Sequence, residues 1–215
     1  MITRFSVFAV GATLFTMSAC SPSANHNSDA AGTDPQTDCV YSYDHESTKF
    51  AWTAFKFTER VGVGGTFDTV LVRGVQSGAS SPGDVIRSLE FEIPVASVNT
   101  QNPDRDMKIQ RFFFGTLAGT DTIRGRVASV NDSTGVVTLA VAMNGVNRMV
   151  EMNLTEEGSA WNLETTIDVN DWNASTGIDS LNNVCYDLHK GADGVSVLWP
   201  EVKLELSTVF KTDCD

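Results

Sequence analysis

The sequence lacks the features that mark several common classes of protein. Basic residues are few, since 15 Lys and Arg stand against 27 Asp and Glu and give a formal net charge of −12. Such an acidic chain argues against nucleic acid as a partner and against adsorption to anionic lipid through basic patches. The four cysteines and three histidines show neither a C-x-x-C motif nor a paired histidine spacing, so no metal site is predicted.

Long apolar runs and helix-rich repeats are also missing. The apolar run at residues 7–15 is shorter than the ~20 residues that a membrane-spanning helix needs. No alternation of strands with long helices and no repeat of fixed period is visible, which disfavours a parallel α/β fold and a solenoid.

The N-terminal region has the organisation of an export signal. Arg4, the apolar run and the small residues 18–19 precede Cys20, which predicts a signal peptide over residues 1–19. Residues 17–20 resemble a bacterial lipobox, so we expect Cys20 to be lipidated, with plain secretion and a spare thiol as the alternative. Residues 20–38 have no apolar periodicity and are expected to form a disordered linker to the domain at residues 39–215.

The remainder of the chain alternates apolar and polar residues over short segments separated by turns. About eight such strands at near-regular spacing predict an all-β domain, either a closed barrel or a sandwich. The glycine-rich residues 61–67 are interpreted as a tight bend, because no helix follows them to make a phosphate-binding loop. The clearest segments are residues 49–57, 85–93, 122–131, 136–143, 149–154, 161–169 and 201–212.

Residues 89–114 are the stretch around which the other segments are organised. Apolar and polar residues alternate up to Pro94, which predicts a strand end, a bulge or a bend because proline lacks an amide proton. A turn follows, and Asp104 is placed to cap a short helix that runs from Arg105 to three consecutive phenylalanines at 112–114. We interpret this helix as a plug across the strand-built body.

This stretch also carries a family resemblance. Val98-Asn99-Thr100, Asn102, Arg105-Asp106 and Phe112-Phe113 resemble the central signature of the YceI family of bacterial lipocalin-like proteins, and a weaker likeness extends from about Tyr41 to Lys211. The resemblance implies a lipocalin-like antiparallel β-barrel of about eight strands, with short helices near residues 104–114 and 170–190. It also implies an apolar tunnel for a long polyisoprenoid-type lipid.

The expected function is therefore non-catalytic binding of a long apolar lipid, which could be a polyisoprenoid, a quinone or an acyl chain. We expect no cofactor besides that lipid, and a periplasm-facing position in the cell envelope, at the outer membrane because Ser21 follows Cys20. Two alternatives stay open. One is an envelope enzyme that uses a loop with Cys185 and His189, and the other is a structural or stress-related protein with a filled core.

The predicted tunnel lining follows from the strand phases and from the resemblance. Arg105 is either a head-group ligand or a helix-initiating residue that forms a salt bridge at the barrel rim. The predicted lining residues are Phe50, Trp52, Phe67, Phe91, Ile93, Phe112, Phe113, Val141, Trp161, Ile167 and Trp172.

Three cysteines remain when Cys20 is assigned to the lipid. Cys39 precedes the first predicted strand and Cys214 follows the last, and in an up-and-down barrel these strands are neighbours. A Cys39–Cys214 disulfide is favoured, while a Cys39–Cys185 disulfide and three unpaired thiols remain alternatives.

Lipidation at Cys20 predicts a change in fractionation. Cys20→Ala should release the protein from the membrane fraction into the soluble fraction, because the acyl chains that hold it there cannot be attached. Cys185→Ala, which leaves the lipobox intact, should remain with the membrane. Retention of the Cys20→Ala protein in the membrane fraction would show that the anchor lies elsewhere.

Overall fold

The computed structural model describes residues 38–214, and the predicted signal peptide, Cys20 and nearly all of the linker lie outside them. Strands account for most of the regular structure, and the helices are short. In chain order the elements are β1 (Cys39–Ser42), β2 (Lys49–Lys56), β3 (Val61–Phe67), β4 (Leu71–Arg73), β5 (Ser77–Ala79), α1 (Pro82–Ile86), β6 (Glu90–Pro94), β7 (Val98–Asn99), α2 (Pro103–Lys108), β8 (Thr122–Asn131), β9 (Val136–Met143), β10 (Val146–Glu157), β11 (Ala160–Asp168), α3 (Ser175–Val184), β12 (Leu198–Val209) and β13 (Lys211–Cys214).

The larger sheet closes on itself as an antiparallel barrel. From β6, the order is β8, β9, β10, β11, β12, β2 and β3. The ring is completed because residues 61–73 bend from β3 into β4, residues 90–99 bend from β6 into β7, and these two bent strands pair with each other. With each bent strand counted once, the barrel has eight strands, which confirms the predicted all-β, lipocalin-like barrel.

Pro94 lies at the bend between β6 and β7, as the sequence predicts. A 3-10 turn at Val95–Ser97 interrupts the strand there, and the Ser97 hydroxyl donates a hydrogen bond to the Pro94 carbonyl at 2.7 Å. The amide of Asp68 donates to the Ser97 carbonyl at 2.8 Å, so the two bent strands remain bonded across the bend. The barrel therefore stays closed at this point although proline has no amide proton to donate to the neighbouring strand.

The glycine-rich residues 61–67 form strand β3, and the tight bend predicted there is wrong. Every residue from Val61 to Thr66 pairs with β2 in an unbroken antiparallel register. A glycine inside a strand can mark a tight bend, or it can make room for a neighbouring group that approaches closely. The second reason applies to Gly65, where the Trp52 side chain lies close to the strand.

A three-stranded sheet in the order β13-β1-β5 accompanies the barrel. Cys39 and Cys214 are opposite each other in the β1–β13 register, and their sulfur atoms are bonded. The disulfide thus joins the first and last strands of the domain. Phe210, between β12 and β13, packs edge-on against Trp161 of the barrel with ring centroids 5.3 Å apart.

The plug predicted from the phenylalanine run is present and starts earlier than expected. Asn102, and not Asp104, caps α2, since its side-chain oxygen accepts the Arg105 amide at 3.1 Å and Pro103 occupies the first turn. The helix continues as a π-helical turn at Ile109–Phe113 and a 3-10 turn at Phe114–Thr116. It packs against α3, whose Gly177 leaves room for the Phe113 ring.

The second predicted helical region, near residues 170–190, contains α3 between 3-10 turns at Val169–Trp172 and Tyr186–Leu188. Helix α1 was not predicted, because five residues give too little periodicity to detect. No helix in residues 38–214 has both the length and the apolar character needed to cross a membrane.

The disulfide can be tested by peptide mapping under non-reducing conditions. The Cys39 and Cys214 peptides should be linked, and Cys185, which is buried and unpaired, should be alkylated only after unfolding. In the chain-entropy model, closing a loop of 175 residues stabilises the folded state by up to about 5 kcal/mol, so reduction should lower the melting temperature. Cys185→Ser should leave the map unchanged, and a Cys39–Cys185 peptide would contradict the pairing.

Candidate ligand-binding cavity

The barrel encloses a cavity of about 650 Å³. Its wall is built from the inward-facing residues of the strands, because side chains in a strand alternate between the two faces of a sheet. On β2 these are Phe50, Trp52 and Ala54, and on β12 they are Val202, Leu204 and Leu206. The volume falls within the range of about 300–1,000 Å³ that is usual for small-molecule sites.

Several wall residues are only half buried although they face the inside of a closed sheet. Leu139, Val141, Leu204 and Leu206 all line the cavity and retain intermediate exposure. If side chains filled the barrel, these residues would be covered by one another and would be buried. Their exposed surface therefore faces the cavity. The interior is therefore open, which contradicts the alternative of a filled core.

Ten of the eleven predicted lining residues lie on the wall of this cavity, and Phe112 does not. In the helical run that follows α2, Phe113 and Phe114 face the barrel, with ring centroids 4.9 Å apart. Consecutive helical residues point in different directions, so Phe112 faces away and lies beside Val184 of α3. The residues on the wall are Phe50, Trp52, Phe67, Phe91, Ile93, Phe113, Val141, Trp161, Ile167 and Trp172.

Arg105 is placed where it supports the plug and does not line the cavity. Its Nε donates to the Thr100 hydroxyl at 3.0 Å, and Asp106 accepts from both the amide and the hydroxyl of Thr100. These bonds tie the first turn of α2 to the residue that follows β7. The structure therefore places Arg105 in this brace and outside the cavity lining, which gives the head-group role no support.

Among the described residues that line the cavity, only four are exposed, and all are polar: His45, Lys49, Thr66 and Asp68. We call the region around these four residues the mouth. Lys49 and Thr66 lie near each other because Ala51, two residues after Lys49 on β2, is paired with Thr66 of β3. Sequence reasoning missed the mouth, since no local pattern marks a polar residue that borders a cavity formed by distant strands.

Two hydrogen bonds join polar side chains around the mouth. The Tyr43 hydroxyl is 3.3 Å from Nδ1 of His45, and Asp68 accepts a hydrogen bond from Asn99 at 2.7 Å. Burial raises the pKa of the Tyr43 phenol, so it is protonated and can donate. The polar groups of the lining are thus concentrated at the mouth and at the hydrogen-bonded pair Thr48 and Thr208, and the rest of the wall offers mainly burial.

The opposite end of the cavity is closed by helices. Ile178 and Leu181 of α3 and Ile109 of the π-helical turn line that end, together with Trp199. The Trp172 indole, 1% exposed, donates to the Val141 carbonyl at 3.0 Å and so satisfies its buried N–H group. The spacing of three residues between Ile178 and Leu181 indicates an apolar face on α3. It does not indicate which part of the protein that face covers.

The loop with Cys185 and His189 does not assemble a nucleophile. Burial raises the pKa of the Cys185 thiol, which is the reverse of the shift that activates a catalytic cysteine. Burial also lowers the pKa of His189 to about 4, and its Nδ1 lies 2.9 Å from the Asn182 side-chain oxygen. The geometry of this loop gives the enzyme alternative no support.

No cluster of three or more His, Cys, Asp or Glu side chains that could hold a metal ion occurs within the described part of the chain. The polar residues at the mouth include one carboxylate and one imidazole, which falls short of a metal-binding set.

Comparison with known proteins gives a family and two similar folds. The YceI-like domain model matches residues 41–210, and no curated protein matches the sequence. A polyisoprenoid binding domain from Saccharophagus degradans has a similar structure, with 17% identity, a TM-score of 0.56, and coverage of 81% of this chain and 99% of that one. BcnA of Burkholderia cenocepacia is similar at 13% identity and a TM-score of 0.53, over 80% of this chain and 99% of that one.

The two structures, at these identities, support the barrel fold alone. The family model covers most of the chain, including the whole barrel and the signature that starts α2. The chain therefore belongs to the YceI-like domain family.

Proposed function

We propose that this protein binds one long apolar lipid inside the barrel and carries out no catalysis on it. The observation that carries the proposal is the open cavity, whose wall is almost entirely apolar away from the mouth. A polyisoprenoid, a quinone tail or an acyl chain suits such a wall, because each is bound by burial and needs few hydrogen bonds. The similarity to a polyisoprenoid binding domain supports the first of these.

Burial alone gives a useful affinity. Covering ~300 Å² of an apolar tail at ~25 cal/mol/Å² gives a gross gain of about 7 kcal/mol, before the costs of association. Binding of this kind should strengthen with tail length and respond little to salt. The tail would occupy the space toward α3, and its polar end would lie at the mouth, where His45 and Lys49 are exposed.

We also propose that the protein works in the bacterial cell envelope, anchored through a lipid on Cys20. The export-like N-terminus and the polar linker support this location. An anchored carrier with an apolar cavity could take up a membrane lipid close to its source. The disulfide between Cys39 and Cys214 is compatible with an oxidising compartment outside the cytoplasm.

Placing a charge in the cavity should abolish lipid binding. Leu139 lines the cavity between Val127 and Val150, so Leu139→Arg would put an unpaired guanidinium against apolar neighbours, where a charge is costly. Native mass spectrometry of the purified domain, followed by lipid extraction, should show lipid on the wild type and none on this variant.

Thr138→Arg is the matched control. Thr138 directly precedes Leu139 on β9 but faces outward, and it is paired with the exposed Glu151 and Ser129. This variant should carry lipid as the wild type does. Absence of lipid from the wild type and the control, even after incubation with isoprenoid alcohols, would contradict the proposed function.

A further inference from the structure

Two glycines in the barrel wall lie directly beneath aromatic rings that border the cavity. Gly65 of β3 is the register partner of Trp52, and Gly125 of β8 is the register partner of Phe91. Both aromatic residues line the cavity. Register partners face the same side of a sheet, so each glycine presents its bare Cα to the interior.

The rings occupy the space that a side chain on the glycine would need. A Cβ atom on Gly65 would lie closer than 3.0 Å to three carbons of the Trp52 indole, and a Cβ atom on Gly125 would overlap the Phe91 ring in the same way. Neither glycine has a positive φ angle, so the backbone itself does not require glycine at these positions. Space for the ring is the structural reason for glycine there.

Each ring therefore folds against the wall and leaves the centre of the barrel free. The Trp52 indole is 8% exposed and donates a hydrogen bond to the Thr66 carbonyl of β3 at 3.3 Å, which fixes it over the neighbouring strand. Large rings on an eight-stranded barrel could otherwise meet across the interior, since a barrel of this size can be filled by its own side chains.

We propose that Gly65 and Gly125 set the width of the cavity and thereby determine how long or bulky a lipid tail the cavity accepts. A methyl group at either position would push the ring off the wall and into the space used by the ligand. This inference rests on the proposed lipid-binding function and adds specificity-determining residues to the same site.

The test compares binding of geranylgeraniol and of its shorter analogue geraniol, each measured by native mass spectrometry. Gly65→Ala should weaken geranylgeraniol binding about tenfold, the loss expected when about two methylene groups are displaced from a buried site. Geraniol, which can avoid the displaced ring, should lose much less affinity. Gly125→Ala should behave in the same way through Phe91.

Gly64→Ala is the matched control in the same strand. A Cβ atom on Gly64 would find its nearest neighbour at 3.8 Å, which is ordinary contact, so this variant should bind both alcohols as the wild type does. Failure of the wild type and of Gly64→Ala to bind either alcohol would overturn the proposed function. Unchanged geranylgeraniol binding by Gly65→Ala would overturn only the role of the glycine.

A double-mutant cycle keeps the inference testable if Gly65→Ala folds poorly. When Trp52→Leu has removed the indole, the added methyl group has no ring to displace. Gly65→Ala/Trp52→Leu should therefore fold and bind geranylgeraniol with the same affinity as Trp52→Leu alone. A further loss of tenfold in the double variant would mean that Gly65 acts independently of Trp52, which would sink the inference.

Discussion

The pairing of the two bent strands is the interaction on which the rest of this structure depends. Residues 61–73 and 90–99 bond to each other on both sides of their bends, and this pairing turns a curled sheet into a ring. A closed ring has no free edge and creates an interior that alternate side chains must line. Without this pairing, the apolar faces of the strands would have no common space to enclose.

A ring of eight strands does not by itself leave that space open. The cavity remains because Trp52 and Phe91 fold over glycines and because helices cover one end without filling the barrel. The polar residues of the family signature serve this cover. Thr100, Arg105 and Asp106 brace the first turn of α2, so the most recognisable motif in the chain holds the plug that carries Phe113 and Phe114.

The distribution of polarity follows the same architecture. The chain is strongly acidic overall, yet the cavity has polar residues almost only at the mouth, and its wall beyond that point is hydrocarbon. Burial also keeps the Cys185 thiol protonated and His189 neutral at pH 7. Chemistry that depends on a thiolate or an imidazolium is therefore disfavoured where the chain carries its unpaired cysteine, and binding by burial is favoured within the barrel.

Local sequence pattern determined the elements and much of the lining. Alternation fixed the inward face of strands such as β2 and β11, Pro94 marked a bend, and the positions of Cys39 and Cys214 at the two ends of the domain favoured the disulfide that joins them. Phase within a strand is a local property, which explains why ten of the eleven expected residues lie on the cavity wall. Phe112 was misplaced because its direction depends on the π-helical turn and on packing against α3. Only the tertiary structure decided that the interior is open, where its mouth lies and why Gly65 is a glycine, since each of these depends on distances between residues far apart in the chain.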